Sequence, residues 1–286
     1  MKRLSIYHAL IKFTNTFSLL VALGTFSLYL YFSKRYDVQP NFIVGVGLSL
    51  GTWIIYTIDH LLDAIQLKEH ASSTRHRYHF YKHRQIIFIV FISIFILLVL
   101  SLKLSRIYYT YVFCLSILTV IHFLMNYIIS RRHLKLRLFK EIYIALVVTI
   151  GFVITPVLEH YSEINLPYIF GVFGVLYLIN LANLFIFSYF DRLSDQKDKM
   201  LSIAHFYSPK KLKQFIQIGI GLSIFLTFIL LVNGIISWID GFVFLPMQLS
   251  LLLIIIKPSL FIINDQYRFY GDLIYLYPII TFPFLH

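Results

Sequence analysis

The sequence predicts an all-α protein, a polytopic transmembrane bundle of about nine helical spans. Three observations predict it. Hydrophobic residues make up 59% of the 286-residue chain and charged residues only 13%, a balance far from that of soluble domains. Several runs free of charge are as long as a bilayer crossing requires. Basic residues also alternate between loops in the way that fixes membrane orientation.

Nine candidate spans follow in order. The first, 13–33, comes after a basic N-terminus, MKRLSIYHALIKF. It is too long for a signal-peptide core and no small-x-small cleavage site follows, so a retained span is expected. The second, 41–62, ends in Asp59 and Asp63, and a 64–85 loop rich in Arg, Lys and His comes next. Spans at 86–102, 107–129 and 141–158 are separated by short basic or polar connections. The sixth, 167–190, runs into Asp191 and Asp195 at the start of a second long loop, 191–213. Spans 215–237 and 241–257 are plain apolar runs, and the last, 270–286, is interrupted by Pro278 and Pro283. The lone cysteine, Cys114, falls inside an apolar run, where a packed thiol is expected.

Of 25 Lys and Arg residues, only Lys34, Arg35, Lys103 and Arg106 fall in odd-numbered loops; the other 21 lie at the N-terminus and in even loops. That asymmetry predicts a cytoplasmic N-terminus and cytoplasmic even loops. The net charge of +12 is thus spread through short loops that anchor topology and meet anionic lipid headgroups. No basic stripe with stacking aromatics appears, which argues against nucleic acid as a partner. One domain spanning 1–286 is the simplest organisation.

The residues able to carry chemistry are few. Asp59/Asp63 and Asp191/Asp195 each read D-x-x-x-D, which sets both carboxylates on one helical face a turn apart. At about 5 Å and an effective dielectric of about 20, such a pair repels by roughly 3 kcal/mol. A hard divalent cation between the acids would relieve that cost. Thr52 and Tyr56 share the face of the first pair, and Asn183 and Phe187 that of the second. Beyond the first pair lie Arg75, His76, Arg77, His79, Lys82, His83 and Arg84. Acids beside such cations suit a diphosphate bridged by Mg²⁺, although the same loop could simply grip lipid headgroups. Asn180 and Asn183 fit interhelical hydrogen bonding as well as a site. Lys197 and Lys199 could reach a phosphate or complete the topological signal.

These motifs resemble the UbiA superfamily of intramembrane prenyltransferases. Its members have about nine spans and two aspartate-rich motifs after spans two and six, N-D-x-x-D-x-x-x-D and D-x-x-x-D. Asp59 and Asp63 match the last two acids of the first motif and Asp191 and Asp195 match the second, with Arg192 also in keeping. A weaker match is Y-x-x-x-R-R at Tyr127, Arg131 and Arg132. The opening Asn-Asp of the first motif falls here on Ile55 and Tyr56.

The resemblance implies a multi-pass protein, of a bacterial inner membrane, with its Asp-rich loops in the cytoplasm. It implies Mg²⁺ held by Asp59, Asp63, Asp191 and Asp195. An isoprenyl diphosphate would be bound with help from Arg75, Arg77, Lys199, Arg131, Tyr56 and Asn183, and transferred to a lipophilic acceptor, aromatic by expectation. Trp53, Tyr56, Phe187 and Tyr189 are candidate aromatics around the allylic carbon. The missing Asn-Asp keeps open a non-catalytic isoprenoid-binding or scaffold protein. A cation-coupled transporter would put its acids near the midplane rather than at one edge. A CDP-alcohol phosphotransferase would need a D-G-x-x-A-R signature, which is absent.

Overall fold

A computed structural model describes residues 2–131, 138–158, 165–200, 202–281 and 283. The described residues are mostly helical, with no strand among them. The helices are α1 Lys2–Phe17, α2 Leu19–Arg35, α3 Phe42–Leu67, α4 Thr74–Tyr81, α5 His83–Ser101, α6 Arg106–Arg131, α7 Leu138–Ile154, α8 Leu166–Lys197, α9 Pro209–Val232, α10 Trp238–Ile256, α11 Pro258–Phe261, α12 Gln266–Leu273 and α13 Pro278–Thr281. Seven are long and apolar enough to cross a membrane, and the bent pair α1–α2 makes an eighth candidate. The chain is an integral membrane protein.

Local sequence sets the helix starts. Asn41 caps α3 by accepting from the Ile43 amide, and Asn165 caps α8 by accepting from Tyr168. Ser208 caps α9 ahead of Pro209, a residue suited to the first turn because its missing N–H would be unpaired there anyway. Ser237 and Asp240 form a reciprocal capping box on α10. Asp240 is fully buried and also accepts from Tyr31 (2.5 Å), Tyr168 (2.9 Å) and both ends of the Arg35 fork (2.8 and 2.9 Å). One carboxylate thereby joins α2, α8 and α10 at the end of the bundle where α8 begins.

Three features of the sequence reading change. The first span is not one straight helix: α1 and α2 meet at 73°, with Ser18 between them in the left-handed region at φ 50°. The break is held from outside. The Trp53 indole donates to the Phe17 carbonyl (2.9 Å), and the Ser18 hydroxyl lies 3.2 Å from His60 Nε2. α1 is thereby laid against the C-terminal segment, where Tyr7 meets Tyr270 (2.8 Å) and Asn15 donates to the Asp265 carbonyl (3.0 Å). Cys114, expected to be packed, is instead exposed, because α6 packs chiefly on α7 and turns Val112 and Phe113 outward as well. The last candidate span is, in its described part, a series of short pieces, α12, a 3-10 turn at Ile274–Leu276 and α13. Pro278 can open a new helix but cannot extend the old one.

The densest core joins α2, α7, α8, α9, α10 and the C-terminal pieces. Gly24 on α2 permits the closest approach: a β-carbon there would meet the Tyr275 β-carbon at 2.3 Å. α3 and α5 share only a small cluster of Ile54, Leu61, Ile86 and Val90. Large apolar residues of α5, among them Phe88, Phe91 and Phe95, face outward, as lipid-facing side chains do. The space left between α3 and α5 on one side and α6 and α7 on the other is the cavity described next.

Candidate functional site

Both acidic pairs lie on helices rather than in loops, because α3 runs to Leu67 and α8 to Lys197. The one-turn spacing therefore keeps the carboxylates of each pair on one face. A staple then draws the two helix ends together. In the turn after α3, the Ser72 amide donates to Asp198 (2.9 Å) and the Ser72 hydroxyl to the Ser194 carbonyl (3.1 Å).

Asp59, Asp63, Asp191 and Asp195 all line one cavity of about 1930 Å³. Its polar end also holds Arg75, Lys140, Lys199, Arg268 and Asp272, and its remaining wall is mostly apolar. Asp59 accepts from Asn126 (3.1 Å) and lies 3.6 Å from His122 Nε2. Asp191 is gripped by Tyr267 and Arg268 from α12. The other acid of each pair is less engaged. Asp63 has His76 Nε2 at 4.0 Å, and Asp195 has the Ser202 hydroxyl nearby. Lys140, at the start of α7, interacts electrostatically with Asp59, Asp63 and Asp195, so acids of both helices surround one ammonium.

The cations are equally convergent. Arg75 and Arg268 repel one another, and Arg75 is drawn to Asp191 and Asp63. Burial first, then Arg268, pulls the Arg75 pKa below its ordinary value, and its Nε is buried without a hydrogen-bond partner. Burial also opposes the charge on Arg268, but Asp191 and Tyr267 more than offset it and hold its pKa above the usual guanidinium value. Its guanidinium lies 5.0 Å from the Phe187 ring centroid, a stabilising cation–π geometry. Burial and the neighbouring Arg75 push the His76 pKa down to about 2, so its ring is neutral. Neither of its nitrogens makes a hydrogen bond among the described residues. Two guanidiniums and an imidazole without a hydrogen bond stand at the mouth of a largely apolar chamber, a combination whose chemistry suits a polyanionic head carried on an apolar tail.

The sequence-predicted residues sort cleanly by place. Tyr56, Arg75 and the four aspartates line the cavity, with Lys199 at its exposed rim. Arg77 is exposed and lies away from it, because two residues along α4 from Arg75 the side chain is carried to the opposite face of the helix. Asn183 is buried in a structural contact instead, donating to the Gly271 carbonyl (3.1 Å), and Asn180 donates to Thr149 (2.8 Å). Among the aromatic candidates, Phe187 joins Tyr56 in the wall, while Trp53 serves the α1–α2 break and Tyr189 lies away from the cavity. Arg131 lies outside the described side chains, as does Arg132. Lys140, Arg268 and Asp272 were not anticipated. The two cations read as topological signals, and Asp272 carried a clue of its own as an acid inside a candidate span.

Among the described residues no three acidic, His or Cys side chains come together closely enough to hold a metal alone, so the four aspartates do not form a ready-made cage. The donor set still suits Mg²⁺, which beside phosphates takes one or two protein carboxylates and leaves its other positions to phosphate oxygens and water. Asp63 and Asp195, which accept no hydrogen bond from an Asn or Arg among the described residues, would supply them.

Fold and site together define a helical membrane protein with a charged mouth opening into one long apolar cavity. No protein-family model matches the chain, and no curated protein matches it in sequence. Solved structures do. A UbiA homologue from Aeropyrum pernix K1 superposes with a TM-score of 0.62 over 93% of this chain and 98% of that one, at 12% identity. A digeranylgeranylglyceryl phosphate synthase superposes with a TM-score of 0.53 over 98% of both chains, at 15% identity. The chain therefore shares the fold of these UbiA-type membrane proteins.

Proposed function

We propose that this protein transfers a prenyl group within the membrane, from an isoprenyl diphosphate to a lipophilic and in our reading aromatic acceptor, with Mg²⁺. The observation that carries this reading is the meeting of both acidic pairs with Arg75, Arg268 and Lys140 at the mouth of a single large apolar cavity. The solved structures that share the fold add support, one being that of a prenyl-lipid synthase. In this reading the mouth and the N-terminus face the cytoplasm of a bacterial inner membrane, and the excess of basic residues in the even loops supports that orientation. The whole chain acts as one membrane domain.

In the reaction, the allylic C–O bond breaks with its electron pair passing to the diphosphate. The allylic carbon then bonds to the acceptor, which loses a proton. Arg75 and Arg268 bind and orient the diphosphate, and their charge stabilises the negative charge that grows as it leaves. When bound, Mg²⁺ would add further neutralisation of that leaving group. Asp191 holds Arg268 in position, and Asn126 and His122 do the same for Asp59. The apolar wall keeps water from the allylic centre, and Tyr56 and Phe187 offer ring faces to positive charge developing there.

Purified protein given labelled farnesyl or geranylgeranyl diphosphate and Mg²⁺ should bind the donor in a metal-dependent way. Asp59→Ala and Asp191→Ala should each abolish that binding; wild-type binding in both would overturn the site. A second reading, a non-catalytic isoprenoid binder, is favoured by Ile55 and Tyr56 standing where the first motif has Asn-Asp. Metal-dependent binding with neither transfer nor hydrolysis would select it.

A further inference from the structure

The cavity continues from the acids along nearly the whole of α3, whose Asp59, Ile55, Gly51, Leu48, Gly47 and Val44 line it in succession. Two of these are glycines with open space before them. A β-carbon at Gly51 would meet nothing within 4 Å, and one at Gly47 only a Leu97 methyl at 3.8 Å. On the facing wall, Gly151 of α7 is similarly open, with a Leu48 methyl at 4.0 Å. Helix packing explains none of the three, because a glycine kept for close approach has a neighbour against it, as Gly24 and Gly45 do. Gly inside a helix costs about 1 kcal/mol relative to Ala, so these positions keep an unfavourable residue while leaving a channel open.

We propose that Gly47 and Gly51 are specificity-determining residues that hold the channel open for a donor of four isoprene units. The proposal rests on the prenyl-donor reading above and deepens it. At about 1.5 Å rise per residue, Gly51 stands about 12 Å and Gly47 about 18 Å along α3 from Asp59. Each isoprene unit adds four carbon–carbon bonds of about 1.5 Å, roughly 5 Å when extended. With the diphosphate held toward Asp63 and the allylic carbon level with Asp59, a geranyl tail ends before Gly51, and a farnesyl tail passes Gly51 but not Gly47. A geranylgeranyl tail passes both and ends at about 20 Å, just short of Val44, which packs with Tyr108 and Leu104.

Leucine at either glycine has room to enter the channel and raises helix propensity, so folding is not at risk. The test is equilibrium binding of geranyl, farnesyl and geranylgeranyl diphosphates, with Mg²⁺, to wild type, Gly51→Leu and Gly47→Leu. Gly51→Leu is expected to bind farnesyl and geranylgeranyl diphosphates at least about tenfold more weakly, from the cost of overpacking, while geranyl stays within about twofold. Gly47→Leu is expected to lose geranylgeranyl alone. Wild-type profiles in both variants, or equal loss of all three donors, would overturn the proposal. Failure of wild type to bind any of the three would instead overturn the donor reading, and the channel assignment with it.

Discussion

Replacing Arg268 with alanine is expected to weaken isoprenyl diphosphate binding by about a hundredfold or more. Truncating one partner of a buried, hydrogen-bonded charge pair costs about 2–5 kcal/mol, and Arg268 has two such roles. In the proposed complex it faces the diphosphate beside Arg75, and it neutralises Asp191. In the variant, Asp191 would keep the Tyr267 hydrogen bond and the weaker attraction of Arg75, and its charge would repel the incoming ligand. Arg268→Lys keeps the charge but loses the planar fork that fits both a carboxylate and a phosphate, so an intermediate loss of about tenfold is expected. Isothermal titration with geranylgeranyl diphosphate measures both. Equal binding by wild type and Arg268→Ala would remove Arg268 from the site.

Asp240→Ala should produce the largest loss of stability. The carboxylate is wholly buried, and its removal would strand the Arg35 guanidinium and the hydroxyls of Tyr31 and Tyr168. Breaking a buried pair from one side costs about 3–5 kcal/mol, which thermal unfolding in detergent would register as a clear drop in midpoint. Asp240→Asn, which still accepts hydrogen bonds, should lose less. Binding at the acidic mouth should be unchanged in the folded fraction of either variant. Tyr168 and Asp191 sit 23 residues apart on α8, about 35 Å along its axis. A stable Asp240→Ala protein would show that the three-helix junction is held by apolar packing alone.

The helices and the acidic faces were legible in the sequence because each depends on local pattern. Charge-free length marks a span, and a four-residue spacing on a helix fixes a shared face. The match of Asp59, Asp63, Asp191 and Asp195 to two family motifs also led to the fold that the solved structures share. What escaped the sequence depends on contacts between distant segments. Ser18 breaks the first span because Trp53 and His60 receive it, and neither is near in sequence. Arg268 and Asp272 reach the mouth because short α12 packs against α2 and α8, in a stretch whose prolines and polar residues blurred it. Arg75 and Arg77 carried equal weight in the sequence, and only the orientation of α4 separates the cavity-lining one from the exposed one. Asn183, on the same helical face as Asp191, is taken up by the Gly271 carbonyl, since a buried amide in a span must find a partner.

That α3 and α8 bring their acids to one ligand is tested most directly by a double-mutant cycle. Binding of geranylgeranyl diphosphate with Mg²⁺ would be measured for wild type, Asp63→Asn, Asp195→Asn and the double variant; Asn keeps the side-chain volume and removes the charge. Two acids serving the same bound diphosphate should show a coupling energy of about 0.5–3 kcal/mol. Losses that simply add, to within about 0.3–0.5 kcal/mol, would mean that the two helices act apart, and the shared site would be contradicted.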